Sequence, residues 1–251
     1  MTSRKTQRLY IPIHSGQLQS GGILDPDENQ THYLISVLRL KDGAEVRVFN
    51  EKDGEFLAQI TFISRKKITL TLHDQIRSPL VEPELNPAVT LAFAPIRRQR
   101  MEAMIEKATE LGVTTLAPIL TAFTQSPQIN QKRLNLIMTE AAEQCERMSV
   151  PDLMEPCKLH DFCHRYGTQD MIFCNESQAD DTGAHMLSFL EYRKTSRPSI
   201  ILIGPEGGFS DEETRFLLDQ PNIHGVSLGS HILRSDTAAI LALGLWQASL
   251  K

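Results

Sequence analysis

From residue 89 onward the chain alternates apolar runs of four to seven residues with longer stretches of helical periodicity, and this rhythm constrains the fold more than any other feature. The runs Val89–Ala94, Thr114–Leu120, Met171–Asn175, Ile200–Ile203 and Gly225–Leu228 read as buried strands. Each precedes a helical stretch: Arg98–Leu111, Gln131–Arg147, Asp181–Lys194, Asp211–Gln220 and Asp236–Ser249. Strands joined through helices run parallel, so the pattern predicts an α/β domain with helices on both faces of one parallel sheet. The last helix (AAILALGLWQA) is apolar nearly all round and is expected to be buried on more than one side, between the sheet and a partner subunit.

Residues 1–75 lack this rhythm. Short β-type segments at Leu9–Ile13, Ala44–Asn50, Glu55–Ser64 and Lys67–His73, punctuated by KDG turns at Lys41–Gly43 and Lys52–Gly54, predict a small β barrel or curled sheet. One helix is expected there, Glu28–Leu38. Pro79, Pro83 and Pro87 in SPLVEPELNP forbid regular helix and sheet alike, so the expected division is an N-terminal domain over 1–75, a linker over 76–87 and a C-terminal domain over 88–251.

Composition excludes several classes. The longest apolar run, Ala238–Trp246, falls well short of the roughly 18 residues of a membrane span, and the polar start MTSRKTQR lacks the apolar centre of a signal peptide. A cytoplasmic protein with no membrane contact is expected. Four cysteines, Cys145, Cys157, Cys163 and Cys174, without CxxC spacing read as reduced thiols. Net charge is −5, yet residues 1–72 carry ten Lys or Arg against eight Asp or Glu, so the first part is weakly basic and the rest acidic. Contact with a polyanion is therefore local. The candidates are Arg4, Lys5 and Arg8, then Arg39 and Lys41, Arg65 to Lys67, and the cluster Arg97, Arg98 and Arg100.

The chemistry is expected between Ile200 and Ala238. Two apolar strands there each run into a glycine turn, GPEGG at Gly204–Gly208 and LGS at Leu228–Ser230. One such turn is an ordinary strand-to-helix connection. Two side by side at the carboxyl edge of a parallel sheet line a pocket with backbone donors and acceptors, suited to an adenosine and a carboxylate. No Gly-Lys-Ser or Gly-Lys-Thr follows and GxGxxG is absent, which excludes a phosphate loop and leaves a dinucleotide site without support. Ser210 with Glu213 forms a capping box that fixes a helix start at Asp211. Ser235 or Asp236 is the expected cap of the last helix, and Arg234 just before it is placed to bind a phosphate or stabilise an oxyanion. Cys157, His160, Cys163 and His164 match no familiar zinc spacing, so no metal is expected.

Five segments in order carry a family resemblance: HYLISVLRLKDGAEVRVFN (32–50), IEKATELGVTTLAPILT (105–121), RLNLIMTEAAEQCERMSVP (133–151), IGPEGGFSDEE (203–213) and LGSHILRSDTA (228–238). Along nearly its whole length the chain resembles the bacterial 16S rRNA (uracil-N3)-methyltransferases of the SPOUT superfamily. The resemblance implies a PUA-like RNA-binding barrel followed by an α/β domain with a deep trefoil knot near residues 200–240. It also implies a homodimer that binds S-adenosylmethionine (SAM) in a bent form and methylates N3 of a uridine in 16S rRNA on the small, 30S subunit. Carried onto matching positions, it implies catalytic roles for Arg234 and Asp236 and cofactor contacts at Ile203, Gly204, Gly208, Leu228, Gly229, Ser230, Ile232, Leu233 and Thr237. RNA contacts are expected at Arg8, Arg39, Arg97, Arg98 and Arg100. Against the family pattern LGxRILRxETA, this chain has His231, after Ser230, where arginine is usual and Asp236 for glutamate, and Glu146 stands where glycine is common. His231 in place of that arginine keeps a second reading open: a catalytically silent RNA-binding or assembly factor of the same fold.

Overall fold

The computed structural model describes residues 6–64, 67–79, 87–125, 129–175, 184–193 and 199–250. Arg4, Lys5, Arg65, Lys66 and most of the expected linker lie outside these residues. The chain divides into two compact units, one formed by residues 1–85 with 142–149, the other by 86–141 with 150–251.

The first unit is built on a five-stranded sheet. Its strands are β1 (Arg8–Tyr10), β2 (Ile23–Leu24), β3 (Glu45–Asn50), β4 (Gly54–Ser64) and β5 (Lys67–Arg77), in the order β1-β3-β4-β5-β2. Only β1 and β3 run parallel; the other pairings are antiparallel. Alternate residues of β3, β4 and β5, such as Val46, Val48, Ala58, Ile60, Ile68, Leu70 and Leu72, turn inward and form this unit's core with Leu9 and Leu34. The expected helix over Glu28–Leu38 is present but not uniform. α1 (Glu28–His32) starts at a capping box made by Asp27 and Gln30, then widens into a π turn over Tyr33–Val37.

Arg8 is not a surface residue. Its side chain is 2% exposed, with Nε 2.8 Å from Glu55 Oε1 and the guanidinium 3.7 Å from the centre of the Phe49 ring. Its Nη1 donates to the carbonyls of Ala142 and Arg147 at 3.1 and 3.0 Å. The expectation that Arg8 contacts RNA is therefore wrong: a guanidinium enclosed by a carboxylate, two carbonyls and a ring has no face left for a phosphate. The helix expected over Gln131–Arg147 ends at Gln144: Glu146 adopts φ 61°, and the Arg147 N–H closes the end on the Ala142 carbonyl at 3.1 Å.

The second unit contains β6 (Val89–Phe93), β7 (Thr115–Leu120), β8 (Asp152–Leu153), β9 (Cys157–Lys158), β10 (Met171–Cys174), β11 (Ala184–His185), β12 (Ser199–Ile203) and β13 (Ile223–Ser227). The main strand order is β11-β13-β10-β12-β6-β7-β8, with every neighbouring pair parallel and β9 paired to β7. Its helices are α2 (Arg98–Glu110), α3 (Gln131–Gln144, of which 142–144 belong to the first unit), α4 (Leu159–Arg165), α5 (Met186–Arg193), α6 (Asp211–Leu218) and α7 (Ser235–Ala248).

Alternation along the strands sorts their side chains into two cores. Val89, Leu91, Phe93, Ile172, Ile201 and Ile203 pack with residues of α2, α3, α5 and α7. Ala92, Met171, Phe173, Ile200 and Leu202 pack on the other face with Leu159 and Phe162 of α4 and Leu217 of α6. Helices thus cover both faces, as continuous apolar strands demand. No helix among the described residues is long and apolar enough to cross a membrane.

Candidate cofactor pocket at the carboxyl edge of the sheet

β10, β12 and β13 lie side by side, so their carboxyl ends open on one edge of the sheet. A cavity of about 260 Å³ sits there. Its floor comes from strand ends, Cys174, Ile203 and Ser227, and its walls from the two glycine turns and the start of α7.

The first turn owes its shape to Phe209. The ring stands edge-on to Phe173 at 5.1 Å between centroids and folds back over Gly204, where a Cβ would lie 2.6 Å from Phe209 Cε2. Only glycine fits under that ring. Gly208 then takes φ 71°, in the left-handed region that glycine enters without strain. The turn ends in the capping box expected at Ser210: Glu213 N–H donates to Ser210 Oγ at 3.2 Å and Ser210 N–H to Glu213 Oε2 at 2.9 Å. The other oxygen of this buried carboxylate accepts the Ala122 N–H at 2.8 Å, tying the loop after β7 to the glycine turn. The second turn is braced by Ser227, whose Oγ accepts the Gly229 N–H at 3.1 Å.

Of the nine expected cofactor residues, Ile203, Gly204, Gly208, Leu228, Gly229 and Leu233 line the cavity. Ser230, Ile232 and Thr237 are exposed and do not, Ile232 being 82% exposed. Sequence reasoning passed over Asn175, Asp211, Thr214 and Ser235, which also line it. His231 lines the rim, with Nδ1 3.2 Å from Ser230 Oγ.

Arg234, not Ser235 or Asp236, holds the cap position of α7, with φ −67°, ψ 150° and no side-chain cap bond. The helix begins one residue earlier than its composition suggested, so Ser235 and Asp236 fall in its first turn. Arg234 is exposed and outside the lining. Oδ1 of half-buried Asp236 has no hydrogen-bond partner among the described residues.

The RNA candidates differ in state. Arg39 and Arg97 are exposed. Arg98 pairs with Glu102 at 2.7 Å, and Arg100 with Glu206 of the first glycine turn at 2.9 Å. Among the described residues no group of three or more His, Cys, Asp or Glu is placed to hold a metal ion, and His160 lies against Phe216 at 4.1 Å between ring centres.

An α/β unit with a nucleoside-sized pocket at its sheet edge, in a chain that begins with a smaller β unit, corresponds to a known class. Residues 83–247 match the RNA methyltransferase domain family, and residues 26–72 the RNA methyltransferase PUA domain. Ribosomal RNA small subunit methyltransferase E of Rickettsia conorii is 34% identical over 95% of this chain and 94% of its own length; that of Synechocystis is 32% identical over 88% and 72%. A methyltransferase from Legionella pneumophila, solved with bound SAM, superposes with a TM-score of 0.83 at 29% identity, covering 97% of this chain and 98% of that one. The chain belongs to the ribosomal RNA small subunit methyltransferase E family.

Proposed function

We propose that this protein transfers a methyl group from SAM to N3 of a uridine in the 16S rRNA of the small ribosomal subunit. One observation carries the reading: a cavity walled by two glycine turns and apolar side chains, with no Lys or Arg among the described residues of its lining, in a chain nearly coextensive with an rRNA methyltransferase. That lining fits SAM. The cofactor has no phosphate that would need a cationic cradle, and its ribose and amino-acid groups suit backbone polar atoms and the carboxylate of Asp211. Gly204, Gly208, Leu228 and Gly229 hold the adenosine through their backbones, Ile203 and Leu233 are the apolar walls, and Ser230, Ile232 and Thr237, exposed and outside the lining, border the rim. When bound, the cofactor supplies an electrophilic methyl group on a positively charged sulfur.

The protein's task is to make N3 of uracil a nucleophile. The N3 proton has to leave, and the imide is too weak an acid to ionise much at neutral pH. Arg234 donates hydrogen bonds to O2 or O4 and stabilises the anion; Asp236, whose buried Oδ1 has no hydrogen-bond partner among the described residues, or a water takes the proton. Arg39, Arg97, Arg98 and Arg100 contact phosphates, Arg98 and Arg100 exchanging Glu102 and Glu206 for them.

The same reading makes residues 1–75 a PUA-like RNA-binding barrel and residues 88–251 a SPOUT domain knotted near 200–240. The strand order supports the knot, because the chain crosses β10 between β12 and β13. It also makes the protein a cytoplasmic homodimer: α7 buries Ala239, Ala242, Leu243 and Trp246 yet leaves Leu241 37% exposed. The test is Arg234→Ala, expected to lower methyl transfer to unmethylated 30S subunits by about 10²- to 10³-fold while SAM binds as before in calorimetry. A wild-type rate in the variant rejects the role of Arg234; failure of the native protein to bind SAM rejects the enzymatic reading in favour of a silent RNA-binding factor.

A further inference from the structure

A second cleft, of about 180 Å³, borders the first glycine turn. Arg97, Phe123, Gln125, Pro205, Glu206 and Gly207 contribute to it, and Pro205 lines this cleft and the larger cavity alike. We propose that this cleft is a nucleotide subsite for the RNA strand. The π-face of an unpaired base stacks on Phe123, Gln125 hydrogen-bonds to the base edge, and Arg97 takes a flanking phosphate. The proposal rests on the RNA methyltransferase reading above and deepens it.

Phe123 is 48% exposed, which is costly for an aromatic side chain in water. Its backbone is nevertheless fixed. Ala122 N–H donates to Glu213 at 2.8 Å, Thr121 N–H to Thr124 Oγ1 at 2.9 Å and Thr124 N–H to Thr121 O at 3.1 Å. The glycine turn passes close by, since a Cβ on Gly207 would lie 3.5 Å from Phe123 Cβ. A large aromatic on so constrained a loop, beside the proposed methyl donor, is a preorganised stacking platform, and stacking accepts any base because every base has a π-face. The electrostatics agree. Among the described lining residues Glu206 is the acidic one, and Arg100 holds it at 2.9 Å, while Arg97 is exposed. Single-stranded RNA, with stacked bases and regularly spaced phosphates, matches an aromatic next to an arginine.

The test uses the full-length protein and unmethylated 30S subunits. Phe123→Ala is expected to raise the KM for subunits fivefold or more while the SAM dissociation constant is unchanged; Phe123→Trp restores the KM, and Phe123→Leu, apolar but without a π-face, does not. Arg97→Gln is expected to flatten the salt dependence of subunit binding by about one unit of slope. Rescue by Leu equal to that by Trp overturns the proposal in favour of a purely apolar contact, such as a protein would make. An unchanged KM in Phe123→Ala overturns it outright while leaving the methyltransferase reading intact. If the native protein neither binds SAM nor methylates subunits, the underlying reading fails, and the subsite with it.

Discussion

Arg8 and Glu55 meet at 2.8 Å with side chains 2% and 0% exposed, and Arg47 and Arg77 each approach the same carboxylate at 3.5 Å. Glu55→Ala therefore strands a buried guanidinium, and loss of one partner from a buried pair costs about 3–5 kcal/mol. Urea denaturation should show a loss of that size, little affected by salt. A change below about 1 kcal/mol would mean that Arg8 reaches water readily in the folded protein.

Gly204 has no room for a side chain beneath Phe209. Gly204→Ala must push the ring off Phe173 or open the turn, and overpacking of this kind costs roughly 1–3 kcal/mol. Calorimetry should find SAM affinity weakened by at least about tenfold at that cost. Native affinity in the variant would show that the turn adapts without disturbing the cavity.

Glu102 sits between two arginines. The hydrogen bond from Arg98, aided by Arg133, outweighs desolvation and holds its carboxyl below the ordinary 4.5. A carboxyl depressed in the folded state stabilises the fold at pH values above its unfolded value, and the contribution is lost as pH falls through the folded one. The stability difference between the native protein and Glu102→Gln should be present at neutral pH and vanish in acid. A difference that grows as the pH is lowered would contradict this assignment.

The four thiols should react very unequally. Burial pushes Cys163 up to about 11 and Cys174 up to about 12, whereas Cys145 is exposed. Iodoacetamide at pH 8, followed by peptide mass mapping, should label Cys145 first, Cys174 much more slowly through the cavity that it lines, and leave buried Cys163 protected until the protein unfolds. Early labelling of Cys174 would show that the pocket floor is wetter than its packing implies.

The parallel sheet was legible because its strands are buried on both faces and so read as unbroken apolar runs, each ended by a turn. Strands β8, β9 and β11 have two residues each, too few to display any period, and the sequence hid them. Arg8 misled for a physical reason. It stands among basic residues at the start of the chain, and its burial is decided by partners 47 and 134 residues away, which no local pattern encodes. Within the site, the glycine turns were legible from composition. Asn175 was also within reach, because parallel strands open their carboxyl ends on one edge and β10 had been recognised as one of them. Ser230, Ile232 and Thr237 share a segment with the lining residues yet are exposed, since adjacency in sequence does not fix which way a loop faces.

Ile203 is 2% exposed, packs with the helices on one face of the sheet and also floors the cavity. One side chain thus serves the packing of the sheet and the shape of the cavity at once, so a substitution there alters both. Exposed Ser230, His231 and Ile232 can be exchanged at little cost to folding, which leaves the surroundings of the cavity adjustable while its floor is not.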